Sequence, residues 1–147
     1  MNRFATDIII HAPIEKVWEA LADIGTISEW NPGVVDSHIT SQGKIGLGST
    51  RYCDLGGKNF LDEEVVTWKP NEQLTMRITD TNMPFKHADI RFFLKKAGAQ
   101  THVTVSPEYQ LKYGVIGNLL DKVFVARTYE KGMGDLLAGL KAHIESL

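Results

Sequence analysis

The sequence predicts an α+β domain. Three observations carry that reading: a β-branched segment near the start, a long central stretch of alternating residues broken only by short turns, and a closing stretch at helical period. Strands that follow one another through short turns form an antiparallel meander, and helices gathered on one face of such a sheet make the α+β class.

Phe4 to His11 centres on Ile8, Ile9 and Ile10 and reads as a strand. Ala12-Pro13 then opens a helix, because a proline at the first helical position lacks an N–H that had no partner there anyway. Ile14, Val17, Trp18 and Leu21 fall on one face of it, with Glu15 placed well in the first turn. Asp23 is positioned to cap a second short helix running towards Trp30, which Asn31-Pro32-Gly33 ends.

From Val34 to about Leu111 the signals are those of strands. Val35 and Ile39 share a face of the first, and Gly43, Gly46 and Gly48 make the turn after it. Ser49 to Leu55 is closed by Gly56-Gly57, and Phe60 to Trp68 by Lys69-Pro70-Asn71. Leu74, Met76 and Ile78 alternate with polar residues, as do Ala88, Ile90, Phe92 and Leu94, and then Val103 and Val105. After residue 113 the period changes. Ile116, Leu119, Leu120, Val123, Ala126, Met133, Leu136, Leu137, Leu140 and Ile144 recur at helical spacing, with a break expected near Gly114 to Asn118.

Composition bounds the function. At 147 residues the chain fits one domain, 1–147, and 43% hydrophobic residues supply a core without disulfides or metal. Sixteen Lys and Arg face 18 Asp and Glu, and Lys95-Lys96 is the only adjacent basic pair, so no nucleic-acid partner is expected. Cys53 stands alone, which excludes an intrachain disulfide and fits a reducing, cytoplasmic setting. The run Ile8 to Ile10 is too short for a signal peptide, and no segment approaches the roughly 18 apolar residues of a membrane span.

Several chemistries find no support. Histidines 11, 38, 87, 102 and 143 lack metal-ligand spacing with one another or with Cys53, so no metal or cofactor is expected. Asp36-Ser37-His38 holds triad residue types, but neighbours on a strand point to opposite faces. Glycines 43, 46 and 48 lack the Gly-Lys-Ser/Thr ending of a phosphate loop and read as a hairpin connection.

The opening residues carry a family resemblance. Ile10-His11-Ala12-Pro13 with Glu15, Val17 and Trp18, then Ala20-Leu21-Ala22-Asp23, then Trp30-Asn31-Pro32, resemble the start of the START-like or Bet v 1-like (SRPBCC) superfamily, in its polyketide cyclase/dehydrase type. Glu64-Val65 with Trp68 and Pro70 resembles the mid-sheet signature, and Leu136, Leu140 and Glu145 the end of the closing helix. The resemblance implies a helix-grip fold: a curved antiparallel sheet of about seven strands around a long C-terminal helix, usually enclosing a cavity. Members bind lipids, sterols, polyketides, hormones or quinones, and some are cyclases or dehydrases.

In such a fold the expected cavity residues are Trp30, Tyr52, Phe60, Met76, Ile90 and Phe92, together with Val103, Val105, Phe124, Tyr129 and Met133. Trp68, Tyr109 and Tyr113 belong to the same set of aromatics around the core, while Trp18 reads as pure core. Arg51, Glu64, His87 and Tyr109 are the polar candidates for orienting a ligand or moving a proton. Phe60, Asp62, Glu64, Val66 and Trp68 share one face of their strand; were that face outward, Glu63 would be the inward carboxylate. Glycines 132, 134 and 139 weaken the closing helix by about 1 kcal/mol each, which suggests either room for a ligand or close packing on a neighbour.

The first expectation is therefore a module that binds a small apolar or amphipathic molecule. The second is a cyclase or dehydrase acting on a polyketide-like substrate. The third is an interaction protein with a filled core.

Overall fold

The computed structural model describes residues 1–112 and 124–147. Tyr113, the expected break near Gly114 to Asn118, and the helical positions Ile116, Leu119, Leu120 and Val123 lie outside the described residues. In chain order the elements are β1 (Asn2–Arg3), β2 (Thr6–Ile10), α1 (Ile14–Ala22), a 3-10 helix (Ile24–Glu29), β3 (Asp36–Ile39), β4 (Thr50–Gly56), β5 (Asn59–Lys69), β6 (Gln73–Thr81), β7 (Phe85–Ala97), β8 (Gln100–Leu111) and α2 (Ala126–Glu145).

The strands form one antiparallel sheet in the order β1-β8-β7-β6-β5-β4-β3, with β2 also on β8. The opening strand is thus two pieces on one neighbour. Asn2 and Arg3 pair with Tyr109 and Glu108, and Thr6 to Ile10 pair with Val105 to Thr101. Helix α1 starts one residue later than a proline-first helix would: Pro13 has an extended ψ of 154°, and its carbonyl accepts the first helical bonds from Lys16 and Val17. Asp23 precedes the 3-10 helix without capping it by its carboxylate; its carbonyl instead accepts from the Thr26 backbone N–H (3.1 Å) and hydroxyl (2.8 Å).

Ile14, Val17 and Leu21 of α1 are buried, as are Met133, Leu136, Leu137, Leu140 and Ile144 of α2. The second set lies at spacings of three and four, so α2 turns one apolar stripe inward. It packs on β2 and α1. Its far end is pinned there. Lys141 Nζ donates to the Ile9 carbonyl and to Glu145 Oε2, both at 2.7 Å, and Glu145 Oε2 accepts the His11 backbone N–H at 2.8 Å. Gly139 meets the Trp30 backbone so closely that a Cβ would collide with the Trp30 carbonyl oxygen, whereas a Cβ at Gly132 or Gly134 would meet nothing within 4 Å.

The β6–β7 ladder is cut short. It runs from Gln73↔Phe93 to Arg77↔Asp89 and stops there. Among the described residues, beyond it β6 pairs only with β5, and β7 only with β8, leaving a cleft of about 170 Å³ between Ile78–Thr81 and Phe85–Ala88. The last rung is an ion pair, with Arg77 Nε and Nη2 donating to Asp89 Oδ1 and Oδ2 at 2.8 and 3.0 Å. Burial opposes ionisation of Asp89, but the Arg77 bonds and charge outweigh it and hold the carboxyl below its ordinary pKa. A carboxyl so lowered stabilises the fold above its unfolded pKa, and the contribution disappears as pH falls through the folded value. Asp89→Asn is therefore expected to lower Tm at neutral pH, with the difference from wild type closing as pH drops below about 4. A gap in Tm unchanged down to pH 2 would refute this.

Candidate functional site

A cavity of about 490 Å³ lies between the first half of α2 and the inner faces of β4 to β7. Its lining is mainly apolar. Ile27, Asn31 and Val34 close one end, from the 3-10 helix and the loop after it. Ile90 and Phe92 contribute from β7, and Met83, Pro84 and Phe85 from the β6–β7 tip. Tyr129, Gly132, Met133 and Leu136 form the helical wall, with Phe124 and Thr128 exposed at its start.

The polar part of the wall comes from the β4–β5 hairpin. Gly56, Gly57 and Lys58 all have φ between 58° and 82°, a left-handed turn that two glycines make cheap. Reflecting the strands about that turn sets Arg51 opposite Glu63 and Cys53 opposite Leu61, all facing the cavity. Arg51 Nε donates to Glu63 Oε1 at 3.0 Å, and Nη1 to the Ile24 carbonyl at 3.1 Å. The Cys53 thiol reaches the same Glu63 oxygen at 3.5 Å. Arg51 is 5% and Glu63 2% exposed, so this is a buried ion pair. Among the described residues, Glu63 Oε2 and Arg51 Nη2 take no hydrogen bond.

Burial pulls against the charge on Arg51, but Glu63 and then Cys53 outweigh it and raise its pKa further. The Cys53 thiol is pushed up to about 12, first by burial and then by the Glu63 charge, with Arg51 opposing. Thiolate is the reactive form. In the folded protein at pH 8, Cys53 is expected to react with iodoacetamide about 10²–10³-fold more slowly than an ordinary thiol, and to become reactive on unfolding. Rapid stoichiometric labelling of the native protein would contradict this.

Tyr129 sits at the centre of an aromatic cluster. Its ring lies 5.0 Å from Tyr109, 5.3 Å from Phe4 and 5.5 Å from Phe85. Burial, then Glu63 and Tyr109, push its phenol above the ordinary range. Its hydroxyl takes no hydrogen bond among the described residues.

The structure brings Arg51, Ile90, Phe92, Phe124, Tyr129 and Met133 together around the cavity. Met76, Val103 and Val105 lie fully buried in the core beside it. Trp30 is buried under a separate surface groove against α2, with its indole N–H unpaired among the described residues. Tyr52 and Phe60 stack at 6.1 Å on the sheet face opposite to Arg51 and Cys53, with His38 5.3 Å from Tyr52. Glu64 points to that outer face too, opposite Thr50 and Arg77. His87 is half-exposed at the β6–β7 cleft, 3.6 Å from Asp89, and Tyr109 is buried in the aromatic cluster.

Two carboxylates competed for the inward position on β5, and a bulge explains why alternation left both open. Register shifts between Val65 and Thr67 turn the strand over, so Glu63 and Val65 face inward and yet Trp68 does as well, edge-on to Trp18 at 5.1 Å. Among the described residues no group of three His, Cys, Asp or Glu side chains could hold a metal ion. No described helix is long and apolar enough to cross a membrane.

Known proteins place the chain as follows. The family model described as polyketide cyclase/dehydrase and lipid transport matches residues 1–145. No curated protein matches the sequence. The solved structure of TTHA0849 from Thermus thermophilus is similar at TM-score 0.82 and 18% identity, covering 99% of this chain and 98% of that one. A START superfamily protein from Mycobacterium smegmatis is similar at TM-score 0.79 and 20% identity, over 98% and 97% of the two chains. The ZhuI aromatase/cyclase from Streptomyces sp. R1128 is similar at TM-score 0.75 and 16% identity, over 98% and 93%. At such identities the likeness shows the helix-grip, START-like fold.

Proposed function

The chain belongs to the polyketide cyclase/dehydrase and lipid-transport family, and from that membership we propose that it binds a small apolar or amphipathic molecule in the cavity between α2 and the sheet. One observation carries the reading: an apolar space of about 490 Å³ whose wall, among the described residues, contains a single buried ion pair, Arg51–Glu63. Ligand sites combine those features, since apolar walls supply affinity and a few placed polar groups fix orientation. Phe92, Ile90 and Met133 would hold the apolar body, and the ion pair its polar end.

Gly132 gives the test. It lines the cavity with open space where a Cβ would be. Gly132→Phe is expected to fold and to abolish binding of Nile red, an uncharged dye that brightens in apolar surroundings. Undiminished dye affinity in that variant would sink the proposal.

A second reading, cyclisation or dehydration of a polyketide-like substrate, draws on Glu63. A carboxylate oxygen without a hydrogen-bond partner among the described residues, in an apolar cavity, is suited to take a proton beside a carbonyl, and Tyr129 to donate to the oxygen. Turnover of a poly-β-keto substrate, lost in both Glu63→Gln and Tyr129→Phe, would establish it; no turnover by the wild type would remove it.

A further inference from the structure

We infer that the cavity selects an uncharged ligand whose polar end is a hydroxyl, alcohol or phenol, and rejects carboxylates. This rests on the cavity being the binding site. The ion pair in the wall is electrically neutral as a unit and leaves both a donor and an acceptor open. Glu63 Oε2 is an acceptor and Arg51 Nη2 a donor, and neither is bonded among the described residues. A hydroxyl group both donates and accepts, so it can satisfy the two together. The Tyr129 hydroxyl on the helical wall is a third polar group without a partner there.

A carboxylate fares differently. It offers no proton to Glu63, and it brings a second negative charge next to one already buried. To capture it fully, Arg51 would have to release Glu63 and leave that carboxylate uncompensated in an apolar wall. No other described cation lines the cavity. An ether is intermediate, since it accepts from Nη2 but donates nothing to Oε2.

The test is displacement of Nile red from the wild-type protein at pH 8 by three probes sharing one tail: 1-dodecanol, its methyl ether and dodecanoate. The alcohol is expected to bind about tenfold or more tighter than the ether, the loss of one hydrogen bond to a charged group. Dodecanoate is expected to be weakest. In Glu63→Gln the charge of Arg51 is no longer neutralised, so dodecanoate should gain at least about tenfold relative to the alcohol. Should that variant fail to fold, the wild-type series decides alone.

Dodecanoate binding as tightly as the alcohol, or equal or absent displacement by all three probes, would overturn the selectivity and leave the cavity reading intact. Failure of Nile red itself to bind the wild type would overturn the cavity reading, and the selectivity with it.

Discussion

Arg51→Met is expected to destabilise the protein by about 3–5 kcal/mol in urea unfolding, because it leaves the Glu63 carboxylate buried without its counter-ion. The mirror change, Glu63→Leu, should cost a similar amount, since among the described residues Arg51 would keep only the Ile24 carbonyl as a hydrogen-bond partner. The double variant Arg51→Met/Glu63→Leu should recover most of the loss. Replacing a whole buried pair by apolar side chains removes two desolvated charges and is often neutral. The coupling between the two sites, read from a double-mutant cycle, is therefore the quantity of interest. Additive losses, or a single-site cost below about 1 kcal/mol, would mean that water reaches the pair and screens it. The double variant would also lack the polar atoms that the proposed ligand would meet, so it separates that proposed role of the pair from its role in folding.

The glycines of α2 give the second large effect. Gly139→Val is expected to cost about 3 kcal/mol or more, because the new Cβ would strike the Trp30 carbonyl oxygen, a backbone atom that no rotamer change can move aside. Helix and loop would have to part, and Leu140 and Trp30 would lose contacts in the same core. Gly134→Ala and Gly132→Ala should instead stabilise by about 0.5–1 kcal/mol each, having open space around the added methyl. Thermal melts of the three variants check this. A harmless Gly139→Val would show that the loop yields, and a destabilising Gly134→Ala would show a contact that the space around it does not suggest.

Those three glycines illustrate what the sequence could and could not reveal. Their cost to a helix is intrinsic and visible in the chain, but its reason is tertiary. Gly139 is the seat of a backbone contact with Trp30, far away in sequence, Gly132 borders the cavity, and Gly134 does neither. The architecture was readable because it rests on periods: alternation along β6, β7 and β8, and spacings of three and four along α2. Boundaries and faces were harder. The break between β1 and β2 and the bulge at Val65 to Thr67 arise from pairing with a neighbour, which a single strand's pattern does not encode.

The site shows the same division. Aromatic type says nothing about face, which is why Tyr52 and Phe60 stack on the outer surface while Phe92 lines the cavity. Trp30 lies in the segment that borders the cavity, but Ile27, Asn31 and Val34 supply the wall and Trp30 packs beneath a groove against α2. Glu63 did have a signal. Folding the chain about Gly56-Gly57 places it opposite Arg51, with Cys53 and Leu61 as the next inward pair. Two opposite charges facing each other across a tight hairpin mark a register more firmly than the alternation of either strand alone.

The shortened ladder between β6 and β7 gives the sheet mechanical compliance. Among the described residues the β6–β7 ladder that joins β3–β6 to β7–β8 and the strands beyond has five residue pairs, from Gln73↔Phe93 to Arg77↔Asp89, with one further backbone bond from the Leu94 N–H to the Glu72 carbonyl. Between that ion pair and the connection at 82–84 the two strands share no rungs among the described residues, so they can bow apart there without breaking a backbone hydrogen bond between them. Met83, Pro84 and Phe85 ride on that tip and form cavity wall. The cavity can therefore widen at that tip while the paired part of the sheet holds Arg51 and Glu63 in place. Amide exchange at residues 78–81 and 85–88 should accordingly outpace that at 73–77, reporting a local excursion far below the free energy of global unfolding.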